Sequence, residues 1–99
     1  MRTEKTVLRH IPYGNAKVYS TYDESGRIIK RILRSYETDV IILDYSYDNG
    51  IAKCTLEVTG LYSMTTRKHI SAFMREFTPF YYDTAKLVYN KRIKLVWDI

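Results

Sequence analysis

A run rich in apolar residues and a run of clean apolar–polar alternation flank the triplet Asp48-Asn49-Gly50. Asn-Gly readily takes the positive φ angles that a two-residue hairpin connection needs, so the flanking runs are expected to fold back on each other. In the upstream run, Asp39 to Tyr47, Val40 and Ile42 point one way and Ile41, Leu43, Tyr45 and Tyr47 the other. In the return run, Ile51 to Thr59, Ala52, Cys54, Leu56 and Val58 face inward while Lys53, Thr55, Glu57 and Thr59 face outward, and Gly60 ends the strand. An antiparallel sheet is therefore the framework of the chain.

The 99 residues suffice for one domain with a modest core. Lys17 to Tyr22 reads as a further strand, and Asp23-Glu24-Ser25-Gly26 as a hairpin connection. Arg27 to Tyr36 fits two patterns. As a helix it would separate Ile28, Ile29, Ile32, Leu33 and Tyr36 from Arg27, Lys30, Arg31 and Arg34. As a strand it needs a β-bulge to explain its broken alternation. The preceding turn and the isoleucine content favour the strand. Before these elements, Val7, Leu8 and Ile11 suggest a short first strand, and Pro12-Tyr13-Gly14-Asn15 a turn.

After the central hairpin the period changes. Thr66, Ile70, Phe73, Met74 and Phe77 recur at helical spacing, with Thr65 or Thr66 as N-cap and Pro79 as the stop. Phe80-Tyr81-Tyr82 is then an aromatic connector. Ala85 to Tyr89 and Arg92 to Trp97 are strand-like, joined by a turn at Asn90-Lys91 or continuous through a bulge. The predicted fold is α+β: one domain over 1–99, a curled antiparallel sheet of about five strands, and one helix over about 65–77 on one face.

A formal net charge of +5 raises the expectation of an anionic partner, although solubility alone accounts for such a charge. Ten tyrosines suit half-buried strands and contact surfaces, because each joins a large ring to a polar tip. The lone Cys54 excludes an intrachain disulfide and suggests a reducing compartment. The polar N-terminus resembles no signal peptide, and the longest unbroken apolar run, Val40 to Leu43, is too short for a bilayer. The expected location is the cytoplasm, with no membrane partner.

Catalytic and metal-binding patterns are weak. His10, Cys54 and His69 show no ligand spacing. Cys54 and His69 would make a thiol–imidazole pair only if the cysteine were exposed, and its inward position reads as a small buried hydrophobe. Asp39, Asp44, Asp48 and Glu57 read as solvated hairpin charges, and no glycine-rich phosphate loop occurs. The expectation is a non-enzyme without cofactor or metal.

The basic residues carry more. Lys68, Ser71 and Arg75 lie opposite the predicted core face of the helix, with Arg67 on the flank. Arg27, Lys30, Arg31 and Arg34 form a second sequence cluster. Lys91, Arg92 and Lys94, beside Tyr89 and Trp97, form a third. Such cations neutralise phosphates, and interleaved tyrosines such as Tyr62, Tyr81 or Tyr82 can stack on unpaired bases.

Ser35-Tyr36-Glu37-Thr38-Asp39-Val40, followed by Gly60 to Phe73, resembles a set of small uncharacterised proteins of bacteriophages and related mobile elements. Their pattern is Ser-Tyr-x-Thr-x-Val, a hairpin, then Tyr-Ser-x-Thr-Thr-x-x-His leading into a helix with a phenylalanine. The matching positions are Ser35, Tyr36, Thr38, Val40, Tyr62, Ser63, Thr65, Thr66, His69 and Phe73. The resemblance implies a genomic context and not a reaction. Read residue by residue, the second half of the pattern has capping and packing work: Ser63 and the threonines as helix caps, His69 as a partner of the cap or the preceding strand.

The expected function is nucleic-acid binding through the helix and the tyrosine-rich surface. The rival is a protein-directed inhibitor of a host nuclease complex, of the anti-CRISPR kind, that uses the same cations against an acidic protein surface. Exposed sheet edges leave a homodimer open.

Overall fold

The computed structural model describes residues 1–60, 63–79 and 94–98. In chain order these form β1 (Arg2–Thr6), β2 (Ala16–Tyr22), β3 (Ile28–Ser35), β4 (Thr38–Asp48), β5 (Ile51–Val58), α1 (Met64–Phe77) and β6 (Lys94–Asp98). The strands make one sheet in sequence order, every neighbouring pair antiparallel. The α+β architecture is the expected one, with six strands among the described residues. Phe80 to Tyr82, the strand expected at Ala85–Tyr89 and the turn at Asn90-Lys91 lie outside the described residues.

The segment Arg27–Tyr36 resolves as strand over Ile28–Ser35, with Tyr36 in the following turn. Thr21 pairs with Lys30 and Tyr22 with Ile28, which leaves Ile29 as the extra residue of a bulge. That bulge is the source of the broken alternation. A second register shift pairs Leu33 with Ile41 and Arg34 with Asp39, so Val40 is extra. It changes one expectation: Val40 does not share a face with Ile42, and Val40 and Ile41 are both buried.

One sheet face carries the core. Ala16, Val18, Leu33, Ile41, Leu43, Cys54, Leu56 and Val58 pack there against Ile70, Phe73 and Met74 of α1. The helix starts earlier than expected. Ser63 is the N-cap, accepting from the Thr66 amide at 3.4 Å, whereas Thr65 lies within the first turn. Thr66 does not cap, because its hydroxyl is engaged with Ser35 beneath the helix. At the other end the Thr78 amide and hydroxyl both donate to the Met74 carbonyl, at 3.1 and 2.7 Å, before Pro79.

The first strand is also displaced from expectation. It is Arg2–Thr6, exposed along its whole length, so no apolar periodicity marks it. Val7, Leu8 and Ile11 instead belong to the loop between β1 and β2. Leu8 is fully buried, and the Arg9 amide donates to Glu76 Oε1 at 2.6 Å. An apolar side chain under the helix removes surface from water, which an edge strand exposed on both faces does not achieve.

The β2–β3 connection is organised by Asp23. Its Oδ1 accepts from the Ser25 hydroxyl at 2.6 Å, the Ser25 amide at 2.9 Å and the Arg27 amide at 3.0 Å. Gly26 takes the left-handed conformation, with φ 86°. The hydrogen bond from Ser25, joined by those from Arg27, holds the Asp23 carboxyl at about 2, against an ordinary 3.8. A depressed carboxyl stabilises the fold above its unfolded value and loses that contribution as pH falls from about 4 toward 2. Asp23→Ala should therefore lower stability at pH 7 and remove part of the acid-limb decline in urea unfolding. An unchanged acid limb would show that the carboxylate contributes nothing.

Candidate nucleic-acid interface

The helix cations converge. Arg67, Lys68, Ser71 and Arg75 line one groove on the outer side of α1, closed on its other bank by His10 and Ile11 of the β1–β2 loop. The groove holds about 360 Å³. Lys68, Ser71 or Ala72, and Arg75 recur at helical spacing, so they form one stripe about 10 Å long. The loop is held against the helix by buried Leu8 and by the Arg9–Glu76 hydrogen bond, which places His10 beside the stripe. Among the described residues Lys68 and Arg75 make no ion pair. Met64, 68% exposed, stands at the N-terminal end of the groove.

The second sequence cluster does not form one surface. Strand alternation and pairing send Arg31 to the helix side and Lys30 and Arg34 to the opposite face. Arg31 donates to Ser20 Oγ at 2.7 Å and to the Tyr45 hydroxyl at 3.3 Å, and its guanidinium lies 4.5 Å from the centre of the Phe77 ring. It ties sheet to helix. Arg27 pairs with Asp23 at 3.2 Å and covers the Tyr47 ring. Lys30 pairs with Asp44 at 3.6 Å. Arg34 pairs with Asp39 at 2.7 Å and lies over Tyr19. Two of the hairpin carboxylates, Asp39 and Asp44, are thus partners of strand cations.

Of the third cluster, Lys91, Arg92 and Tyr89 lie outside the described residues, as do Tyr62, Tyr81 and Tyr82. Lys94 pairs across to Glu57 and Trp97 to Cys54. The two are three residues apart on one strand, hence on opposite faces: Trp97 packs against the core and Lys94 is exposed. Cys54 is fully buried, and burial pushes its thiol up. That is the setting of an inert cysteine.

Ser35, Tyr36, Thr66 and His69, all positions of the Ser-Tyr/Thr-Thr-x-x-His pattern, meet at one place. Ser35 Oγ lies 2.8 Å from His69 Nδ1 and 3.0 Å from Thr66 Oγ1, all three side chains buried. Burial lowers the His69 pKa below the ordinary 6.5 and keeps the ring neutral. The Tyr36 ring sits 6.1 Å from the His69 ring, tilted by 40°. This polar junction locks the β3–β4 turn to the first turns of α1; of the expected caps only Ser63 serves as one, and His69 bonds Ser35 of β3 rather than the cap or the preceding strand.

Sequence reasoning missed a second basic groove, on the face of the sheet opposite α1. Lys5, Lys17, Tyr19, Arg34 and Tyr36 line it, and it holds about 670 Å³. Tyr36 occupies the turn with φ 58° and is 52% exposed. A bulky residue in that region costs about 1–3 kcal/mol. The outward phase of Lys17 and Tyr19 in β2 was a usable signal. Lys5, on a strand without periodicity, offered none.

No protein-family model matches the chain, and neither the curated proteins nor the solved structures searched include one significantly similar to it. Among the described residues no helix is long and apolar enough to cross a membrane.

Proposed function

We propose that the protein is a non-enzymatic nucleic-acid-binding protein of a phage or mobile element, acting in the host cytoplasm and holding phosphates along the basic groove of α1. One observation carries this reading: Arg67, Lys68, Ser71 and Arg75 share a single open groove with His10. Cations on a rigid helix neutralise phosphates and release counterions, which gives affinity without reading sequence. Ser71 adds a hydroxyl donor in the middle of the stripe.

The test is fluorescence anisotropy with labelled single- and double-stranded oligonucleotides at two salt concentrations. Binding should weaken steeply with salt. Lys68→Glu with Arg75→Glu should cut affinity at least about tenfold and reduce the magnitude of the log–log salt slope for duplex by about 2, one contact per cation. Unchanged affinity in the double variant would remove the groove from consideration.

One observation favours the rival reading, a protein-directed inhibitor of a host nuclease complex. Met64 and Ile11 set apolar surface among the cations of the same groove, and methionine and arginine are enriched at protein interfaces. That reading predicts negligible oligonucleotide binding and a stoichiometric, Met64-dependent complex with the target protein.

A further inference from the structure

We infer that the open face of the sheet carries a subsite for an unpaired nucleotide of single-stranded nucleic acid, its base stacked on Tyr36 and its phosphate held by Lys17 and Lys5. This inference rests on the nucleic-acid reading above, and extends it to a second surface and to strand selectivity.

Three features that burden the fold converge on this groove. The first is a like-charge pair. Lys17 and Arg34 stand directly opposite each other on β2 and β3 and project to the same face. Directly opposed like charges destabilise a sheet, and an anion between them reverses the sign of that interaction. Arg34 is offset by Asp39; Lys17 has no ion pair among the described residues. The second is Tyr36, held at φ 58° by its amide, which donates to the Asn15 carbonyl at 2.8 Å. Glycine would occupy that position without strain. The third is the exposure of the Tyr36 ring at the mouth of the groove. An aromatic ring in a costly conformation, half in water beside cations, suits a planar ligand with a negative charge.

The remaining geometry fits a nucleotide. Lys5 and Tyr19 face each other across β1 and β2, so Lys5 extends the cationic side of the groove. The Arg34 guanidinium, 4.6 Å from the centre of the Tyr19 ring, makes a flat floor. Glu37 is the one acidic side chain lining the groove among the described residues, an acceptor for the amino group of a base. The volume lies within the range of small-ligand sites, about 300–1,000 Å³. A duplex keeps its bases stacked inside, whereas a single strand offers both base face and phosphate.

Two substitutions separate binding from folding, since each removes a burden on the fold, although Tyr36→Gly also gives up the contact of its ring with His69. Tyr36→Gly removes the ring and relieves the left-handed strain. Lys17→Glu replaces the like-charge pair with an ion pair to Arg34. Each variant is compared with the unmodified protein for binding to a labelled single strand and to the duplex of the same sequence, alongside thermal unfolding. The expected result is a roughly tenfold or greater loss of single-strand affinity, little change for duplex at the α1 groove, a cooperative unfolding transition in both variants, and an unchanged or raised Tm for Lys17→Glu. If both variants keep full single-strand affinity while the unmodified protein binds oligonucleotides, the subsite is wrong and the α1 reading stands. If the unmodified protein binds no oligonucleotide at low salt, both readings fall. Should Tyr36→Gly fail to fold, Lys17→Glu decides the matter alone.

Discussion

Phe73→Ala is expected to destabilise the protein by about 3–5 kcal/mol, the usual cost of emptying a large aromatic site. Phe73 heads the fully buried side chains by volume. It packs on Phe77, ring centres 4.8 Å apart, and Phe77 in turn underlies the Arg31 guanidinium. The cavity would therefore loosen a second aromatic ring and a cation that bonds to both Ser20 and Tyr45. A small domain has about 5–15 kcal/mol in total, so the variant should be partly unfolded at 37 °C. Urea unfolding followed through Trp97, the only tryptophan and part of the core surroundings, measures this directly. A loss under about 1 kcal/mol, less than an ordinary core truncation, would mean that α1 does not depend on Phe73 for docking. The α1 groove depends on the same docking, so oligonucleotide affinity should fall with the folded fraction and no further.

The second large effect concerns the buried junction. Ser35→Ala leaves His69 Nδ1 without its partner, and a buried polar group left unpaired costs about 1–3 kcal/mol, whereas Thr66 Oγ1 still accepts from the Ser63 hydroxyl at 3.4 Å. The same site makes stability depend on pH. His69 is held below its unfolded value of 6.5 by burial, so the unfolded chain binds the proton more readily. The contribution is complete above pH 6.5 and is lost as pH falls through that value toward the folded one. Urea midpoints should thus decline between pH 7.5 and 5.5, and His69→Gln should flatten the decline while lowering stability at neutral pH. A His69→Gln profile parallel to that of the unmodified protein would place the titration elsewhere.

The relation between pattern and fold differs from element to element. The hairpin around Asn49-Gly50 was legible because period-2 alternation and turn chemistry are local properties. The span of α1 was legible for the same reason, and its outward stripe of Lys68, Ser71 and Arg75 came with it. Arg27–Tyr36 was ambiguous because a bulge at Ile29 shifts the phase of a strand into something close to a helical pattern. β1 was invisible: an edge strand exposed on both faces needs only backbone pairing, and its side chains keep no period.

The sequence by itself determined the α+β class, the central hairpin, the helix and the helix face that bears the cations. Those follow from periods of two and 3.6 residues, which are set within a single element. Only the tertiary structure decided which charged residues share a surface. Arg31 and Arg34 are three apart in sequence and stand on opposite faces of the sheet. Lys5, Lys17 and Tyr36, drawn from two strands and a turn, share one groove. Ser35 meets His69 across 34 positions. Pairing register and helix docking set these meetings, and both depend on the whole core closing at once.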